Sequence, residues 1–312
     1  MALSAAFLCF KIFNLVTPLV AMLRILRQVG DVVNKALKYA LDLTQPDMPV
    51  LELCERVEAF IRANDAKPAF PVNVSVNEVA AHYTAKRGDS LKIPKTGLVK
   101  IDVGAQRDGY IVDAAVTVTL GPVFNNLQKA AKSALESAIN AAKPGIKAWQ
   151  IGEVVERVIK SFGLSPIYNL TGHKIERYLL HAGHVIPNYS DKTASQALAP
   201  GDVYAIEPFA TNGEGYVVDG GEITIYRLAR LRHKNYQHLI DIISAEAGPL
   251  PFTPRWFPQL TDDAIREALK AGVLQGYEVL VERSKGFVAQ FEDTVYVGEN
   301  EVIPLVRTLE LL

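Results

Sequence analysis

The stretch at 100–118, KIDVGAQRDGYIVDAAVTV, constrains this chain more than any other. Two apolar runs flank RDGY, and Asp-Gly between such runs is a strong short-range turn signal. The runs therefore read as a β-hairpin. Each carries a carboxylate in its middle, Asp102 in the first and Asp113 in the second. A loop over 106–109 sets Ala105 against Tyr110. Asp102 then lies directly opposite Asp113, with Cβ atoms about 5 Å apart. Adjacent carboxylates repel, so either one takes a proton or a cation sits between them. A solvent-facing pair is the alternative, but Ile101, Val103, Ile111, Val112 and Val116 leave little polar face. A slip of one residue would separate the two acids.

Around this hairpin the pattern is mixed. Leu23, Leu26, Val29, Val33, Leu37, Ala40 and Leu41 recur at three- and four-residue spacing, which predicts a helix from Met22 onward. QPDMP breaks it at 45–49. VLELCERVEAFIRAN predicts a second helix, with Leu51, Cys54, Val57 and Ile61 on one stripe. Two more helices cover about 125–143 and 148–162, stopped by Gly145 and Gly163. Strands alternate with loops through 167–225. YRLARLRHKNYQHLIDIISAEAG and TDDAIREALKAGVLQG read as helices across a Pro-rich loop, and GFVAQFEDTVYVGENEVIPLV as a hairpin turned by GEN. The class is α+β with antiparallel strands, in a chain of 312 residues that can bury a sizeable core.

Charge excludes some functions. With 33 basic and 34 acidic residues and a net charge of −1, nothing calls for sequence-specific nucleic-acid binding or an anionic surface. Cys9 and Cys54 form neither a disulfide framework nor a zinc cage, which points to a reducing, cytoplasmic setting. Residues 1–21 stand apart as an apolar leader of about membrane-spanning length. Lys11, Asn14 and Pro18 interrupt it, and no basic region precedes it. Three readings compete for it: a true start at Met22, an extra helix packed on the domain, or a membrane anchor.

More titratable residues sit in apolar settings. Glu207 lies in DVYAIEPFA. Glu292 lies in the alternating run GFVAQFEDTVYV, on a face with Gln290 and Thr294. His173 and His181 lie in TGHKIERYLLHAG, and His82 in NEVAAHYTA. Each alone has an ordinary explanation as a paired acid or a satisfied structural histidine. Together, two aspartates, two glutamates and a histidine form an oxygen-rich set suited to Mn, Fe, Co or Zn. Four carboxylates would balance two divalent ions. Spacing alone does not bring these residues together.

NEVAAHYT, KIDVG, the separation of Asp102 from Asp113, GHKIERYLLHAG, AIEPFA and AQFEDT occur in the order and spacing of the methionine aminopeptidases. The chain resembles the type 2 enzymes of that family, especially the short archaeal ones, from about Leu23 to near its C-terminus. The resemblance implies a pita-bread fold, an antiparallel sheet flanked by two helix pairs with pseudo-two-fold symmetry. It makes 22–312 the catalytic domain, with a helical insertion about 227–285 whose stretch RLARLRHKNYQH is basic. That stretch is read as a solvated face or a transient ribosome contact.

The resemblance also implies two divalent metal ions (Co, Mn, Fe or Zn) on Asp102, Asp113, His173, Glu207 and Glu292. Asp102 would chelate one ion, Asp113 and Glu292 would bridge both, and His173 and Glu207 would complete the second. His82 and His181 would contact the scissile amide, and Glu207 would carry a proton to the leaving amine. Phe70, Leu180 and Tyr277 would line a methionine pocket. The implied activity is removal of the initiator methionine from nascent chains with a small second residue, by water activated at the metals; the sequence does not give the oligomeric state, and a monomer is the expectation. One departure is Asp293, where the family usually has histidine; it alternates away from Glu292, so it would tune the site without removing the metal. A prolidase-like Xaa-Pro peptidase and a non-catalytic pita-bread binding module are the rivals.

Overall fold

The computed structural model describes the backbone from Ala2 and the side chains of residues 20–312, so the side chains of the apolar leader before Val20 lie outside the described residues. The chain runs through α1 (Ala2–Leu43), α2 (Val50–Ala63), β1 (Lys67–Pro68), β2 (Asn73–Val76) and β3 (Val79–Ala81). A long hairpin, β4 (Gly97–Arg107) and β5 (Tyr110–Leu120), leads to the helices α3 (Asn125–Ala141) and α4 (Ala148–Ser161). Five short strands follow: β6 (Ser165–Pro166), β7 (Thr171–Ile175), β8 (Val185–Pro187), β9 (Val203–Ile206) and β10 (Phe209–Thr211). Next, β11 (Val217–Leu228) and β12 (Leu274–Glu282) enclose α5 (Gln237–Glu246) and α6 (Asp262–Lys270). The fold ends with β13 (Val288–Gln290), β14 (Asp293–Val297) and β15 (Val302–Pro304).

Among the described residues every strand pairing is antiparallel. β4 is flanked by β1, β2 and β5; β15, β14, β9, β7 and β8 form a five-stranded sheet in that order. The helices pack in two pairs, α1 with α2 and α3 with α4. α1 lies on β4 and β5, and α3 lies on β13 and β10. The stripe predicted for α1 is the buried one: Leu26, Val29, Val33, Leu37 and Ala40 are all in the main core. Each such buried Leu or Val contributes about 1.5–3 kcal/mol. Among the described residues no helix is long and apolar enough to cross a membrane.

The hairpin register differs from expectation. Asp108 and Gly109 have φ of 53° and 82°, so the loop is two residues long and of the mirror-image type that Asp-Gly favours. Arg107 therefore faces Tyr110, Gly104 faces Asp113, and Asp102 faces Ala115. The two aspartates share a face but sit diagonally, two positions out of register.

The helices expected at 226–248 and 261–276 are also shorter than their letters suggested. β11 runs through Leu228, and α5 begins only at Gln237. α6 stops at Lys270, and Leu274 already pairs with Leu228 as part of β12. The helical spacing of Leu228 and Leu231 is misleading, since Leu231 is exposed. Between β11 and β12, Leu239, Ile240, Ile243, Phe257, Ile265 and Ala268 build a small core of their own.

Candidate metal centre

The register that separates Asp102 from Asp113 also builds a site. Asn73 on β2 pairs with Asp102, and Asp102 pairs with Ala115. Ala115 in turn bridges Glu292, its carbonyl accepting from Glu292 N at 2.9 Å. Directly opposed residues point to one side of a sheet. Asn73, Asp102, Ala115 and Glu292 thus form a row across four segments, with Asp113 on the same face.

Glu292 owes its position to a break between two strands. β13 ends at Gln290 and joins one sheet; β14 starts at Asp293 and joins another. The joint presents Glu292 inward. The second sheet brings in β7 and β9, where His173 pairs with Ala205. Glu207 follows the end of β9. His173 Nε2 lies 3.7 Å from Asp113 Oδ2 and 3.6 Å from Glu207 Oε1. Ligand atoms of Asp113, His173 and Glu292 all fall within 4.8 Å of one another. All five expected ligands line one cavity of about 320 Å³.

The other expected residues line the same cavity: Phe70, His82, Leu180, His181 and Tyr277. His82 follows β3 with φ 65°, a left-handed conformation uncommon outside glycine. Its Nδ1 lies 3.1 Å from the Glu278 carbonyl. A carbonyl only accepts, so Nδ1 carries the proton and Nε2 keeps its lone pair. The His173 and His181 rings meet edge to face at 4.4 Å, and His82 meets Tyr277 in the same way at 5.6 Å.

The electrostatics fit an imidazole and carboxylate cage. Burial pushes Asp102 up to about 7. Burial raises Asp113 well above the usual carboxylate range, with Asp102 and Glu207 adding repulsion. Glu207 and Glu292 rise for the same reason, burial first and neighbouring acids second. The histidines move the other way: burial lowers His173 to about 3, helped by His181, and His181 to about 4, helped by His82. Neutral imidazoles are the form that binds a metal.

Residues 24–299 match metallopeptidase family M24. The chain belongs to that family. A methionine aminopeptidase of Pyrococcus abyssi is 43% identical over 284 residues, which is 88% of this chain and 96% of the relative. Two solved structures share the pita-bread fold. A thermophilic Arx1 superposes with a TM-score of 0.78 at 19% identity, covering 92% of this chain and 91% of that one. A methionine aminopeptidase of Thermotoga maritima gives 0.68 at 22% identity, covering 92% and 96%.

As an M24 metallopeptidase the chain is expected to hold divalent metal, and the donor atoms agree. Asp102 Oδ1, Asp113 Oδ1 and Glu292 Oε1 are buried without a hydrogen-bond partner. Buried carboxylate oxygens without partners are costly. A divalent cation would satisfy them, offset the burial that raises their proton affinity, and relieve the repulsion that adds to it at Asp113 and Glu292.

Of the cavity residues not singled out from the sequence, two stand beside the acids. Gln290 donates from Nε2 to Glu292 Oε2 at 3.0 Å and to Glu207 Oε2 at 3.4 Å, so it spaces the two glutamates. Its shared face with Glu292 was a signal. Asn73 also lines the cavity, with Oδ1 buried and unpartnered. Only its pairing with Asp102 reveals it, and that pairing is non-local.

Asp293 points away from the cavity. Its carboxylate accepts from Val306 N at 3.1 Å and from Thr308 N at 2.7 Å. It pins the C-terminal segment to β14.

Proposed function

We propose that this chain removes the N-terminal methionine from peptides and nascent proteins whose second residue is small. The observation that carries the reading is the convergence of ten residues on one cavity, in a chain 43% identical to a methionine aminopeptidase along nearly its whole length. Asp102, Asp113, His173, Glu207 and Glu292 would hold two divalent ions, drawn from Mn, Fe, Co and Zn. Such ions supply Lewis acidity for amide hydrolysis.

The protein's own groups supply the rest. Phe70, Leu180 and Tyr277 form an apolar wall for a flexible thioether. His82 Nε2 and His181 face the scissile amide, and their low proton affinity keeps them neutral partners at pH 7. Glu207 is the carboxylate placed to take a proton from water and pass it to the leaving amine. Its side chain is 14% exposed, enough to meet a substrate in the cavity. Nascent proteins as substrates fit a cytoplasmic enzyme, and we read the chain as acting as a monomer. The exposed basic stretch after β11 is the segment available for transient ribosome contact.

The deciding experiment compares Met-Ala-Ser with an Xaa-Pro peptide, with chelator and after addition of Mn or Co. Metal-dependent release of methionine from the first is expected. Cleavage of only the Xaa-Pro peptide would indicate a prolidase-like enzyme, and no cleavage with metal bound would indicate a binding module.

A further inference from the structure

A buried ion pair outside the cavity joins three segments that reach into it. Glu58 on α2 and Arg255, between α5 and α6, have side chains only 3% exposed. Arg255 grips the carboxylate with both terminal nitrogens, each at 2.6 Å. Trp256 Nε1 donates to the same carboxylate at 2.8 Å and Val72 N at 3.1 Å, so both oxygens are fully engaged. Arg255 also donates from Nε to the Ala85 carbonyl at 2.8 Å and from a terminal nitrogen to Thr84 Oγ1 at 2.9 Å. Thr84 Oγ1 then donates to the Val72 carbonyl at 2.7 Å.

The joined segments are informative. Val72 is two residues from Phe70, and Thr84 is two residues from His82. Arg255 lies four residues beyond Pro251. Phe70, His82 and Pro251 all line the cavity. A buried charge pair is a poor source of stability, because desolvation offsets its Coulomb attraction. What it does supply is one allowed geometry, since a guanidinium meets a carboxylate as a planar fork. His82 also holds a left-handed conformation that neighbouring structure must enforce.

We propose that Arg255 and Glu58 are positioning residues for the side-chain pocket, fixing the relative placement of Phe70, His82 and Pro251 and so setting the preference for methionine. This rests on the function proposed above. Neither residue touches the cavity; they act through Val72 and Thr84.

The test uses Arg255→Lys and the charge-neutral pair Glu58→Gln with Arg255→Met, in the metal-loaded full chain. The pair leaves no lone buried charge and is expected to fold. The ratio of kcat/KM for Met-Ala-Ser over Leu-Ala-Ser should fall about ten-fold in both variants, the scale of a supporting-residue effect. Mn affinity, read by calorimetric titration, should stay within about two-fold, because the ligands sit on other segments. Arg255→Lys keeps the charge but not the fork, so recovery of wild-type selectivity by lysine would overturn the proposal. Unchanged selectivity in a folded double variant would overturn it too, whatever its melting temperature. If the wild-type chain releases no methionine, hydrogen exchange over 68–74 and 80–86 decides: about ten-fold faster exchange in the double variant supports the clamp, and unchanged exchange refutes it.

Discussion

Gly104 leaves room for the Phe70 ring. A Cβ built on Gly104 would run into the edge of that ring. The contact is set by backbone pairing, since Ala69 N donates to the Gly104 carbonyl at 2.9 Å. Gly104 also faces Asp113 across the hairpin. The glycine of KIDVG therefore serves the cavity wall from between the two acids.

Gly104→Ala is predicted to push Phe70 into the cavity. Overpacking of this kind costs about 1–3 kcal/mol. KM for Met-Ala-Ser should rise about ten-fold with a smaller change in kcat, because the wall moves and the proton-carrying groups do not. Steady-state kinetics check this. A fall in kcat at constant KM would show that the strand, and with it Asp113, had moved instead.

Much of this site was legible because its chemistry is unusual. Carboxylates in the middle of apolar strands stand out against any core pattern, and Asp102, Asp113, Glu207 and Glu292 all carried that mark. What was illegible was pairing. The hairpin register turned on loop length, and only the left-handed conformations of Asp108 and Gly109 fix it at two residues. Glu292 reaches the acids through a bridge to Ala115, nearly 180 residues earlier in the chain. No periodicity encodes such a contact. The end of β11 was misread for a different reason: the six residues after Val217 are exposed or half-buried, so the strand shows no clean alternation to carry it past 225, and 226–228 read as helix.

Glu207→Gln is predicted to lose most activity while keeping the fold. The amide cannot take up a proton, and it removes one of the four carboxylates. Losses of about 3–5 kcal/mol in kcat/KM, or 10²–10³-fold and more, are typical when a group acts chiefly in the transition state. Methionine release measured at saturating Mn separates this from a simple loss of metal. Full activity would remove Glu207 from the proton-carrying role.

Asp293→Asn is predicted to destabilise the fold with little effect on the metal centre. The aspartate accepts from two backbone N–H groups, at Val306 and Thr308, and is fully buried. An asparagine keeps one acceptor but turns a donor toward the other N–H. Leaving a buried donor unpaired costs about 1–3 kcal/mol. Denaturant titration reads the loss, and Mn titration should show unchanged affinity. A large drop in Mn affinity would instead mean that Asp293 tunes Glu292 beside it.

Metal removal is predicted to make stability depend on pH with a definite sign. In the metal-free fold burial holds Asp102 at about 7, against an ordinary value of 3.8. Asp113, Glu207 and Glu292 are raised in the same direction. A group whose proton affinity is higher in the folded chain favours folding while it is protonated in both states, and it loses that contribution as pH rises toward its folded value. Stability of the metal-free protein should therefore fall between about pH 4 and pH 7 as Asp102 is forced to ionise, with the other three acids adding to the loss in the same direction. Divalent metal replaces the protons, so its stabilising effect should grow over the same window. Thermal melts in chelator and in excess Mn, taken at steps from pH 5 to pH 8, give the two curves. The gap between them should widen as pH rises. A gap that stays constant would show that the acids are not the metal's ligands, because no proton would then be exchanged for the ion.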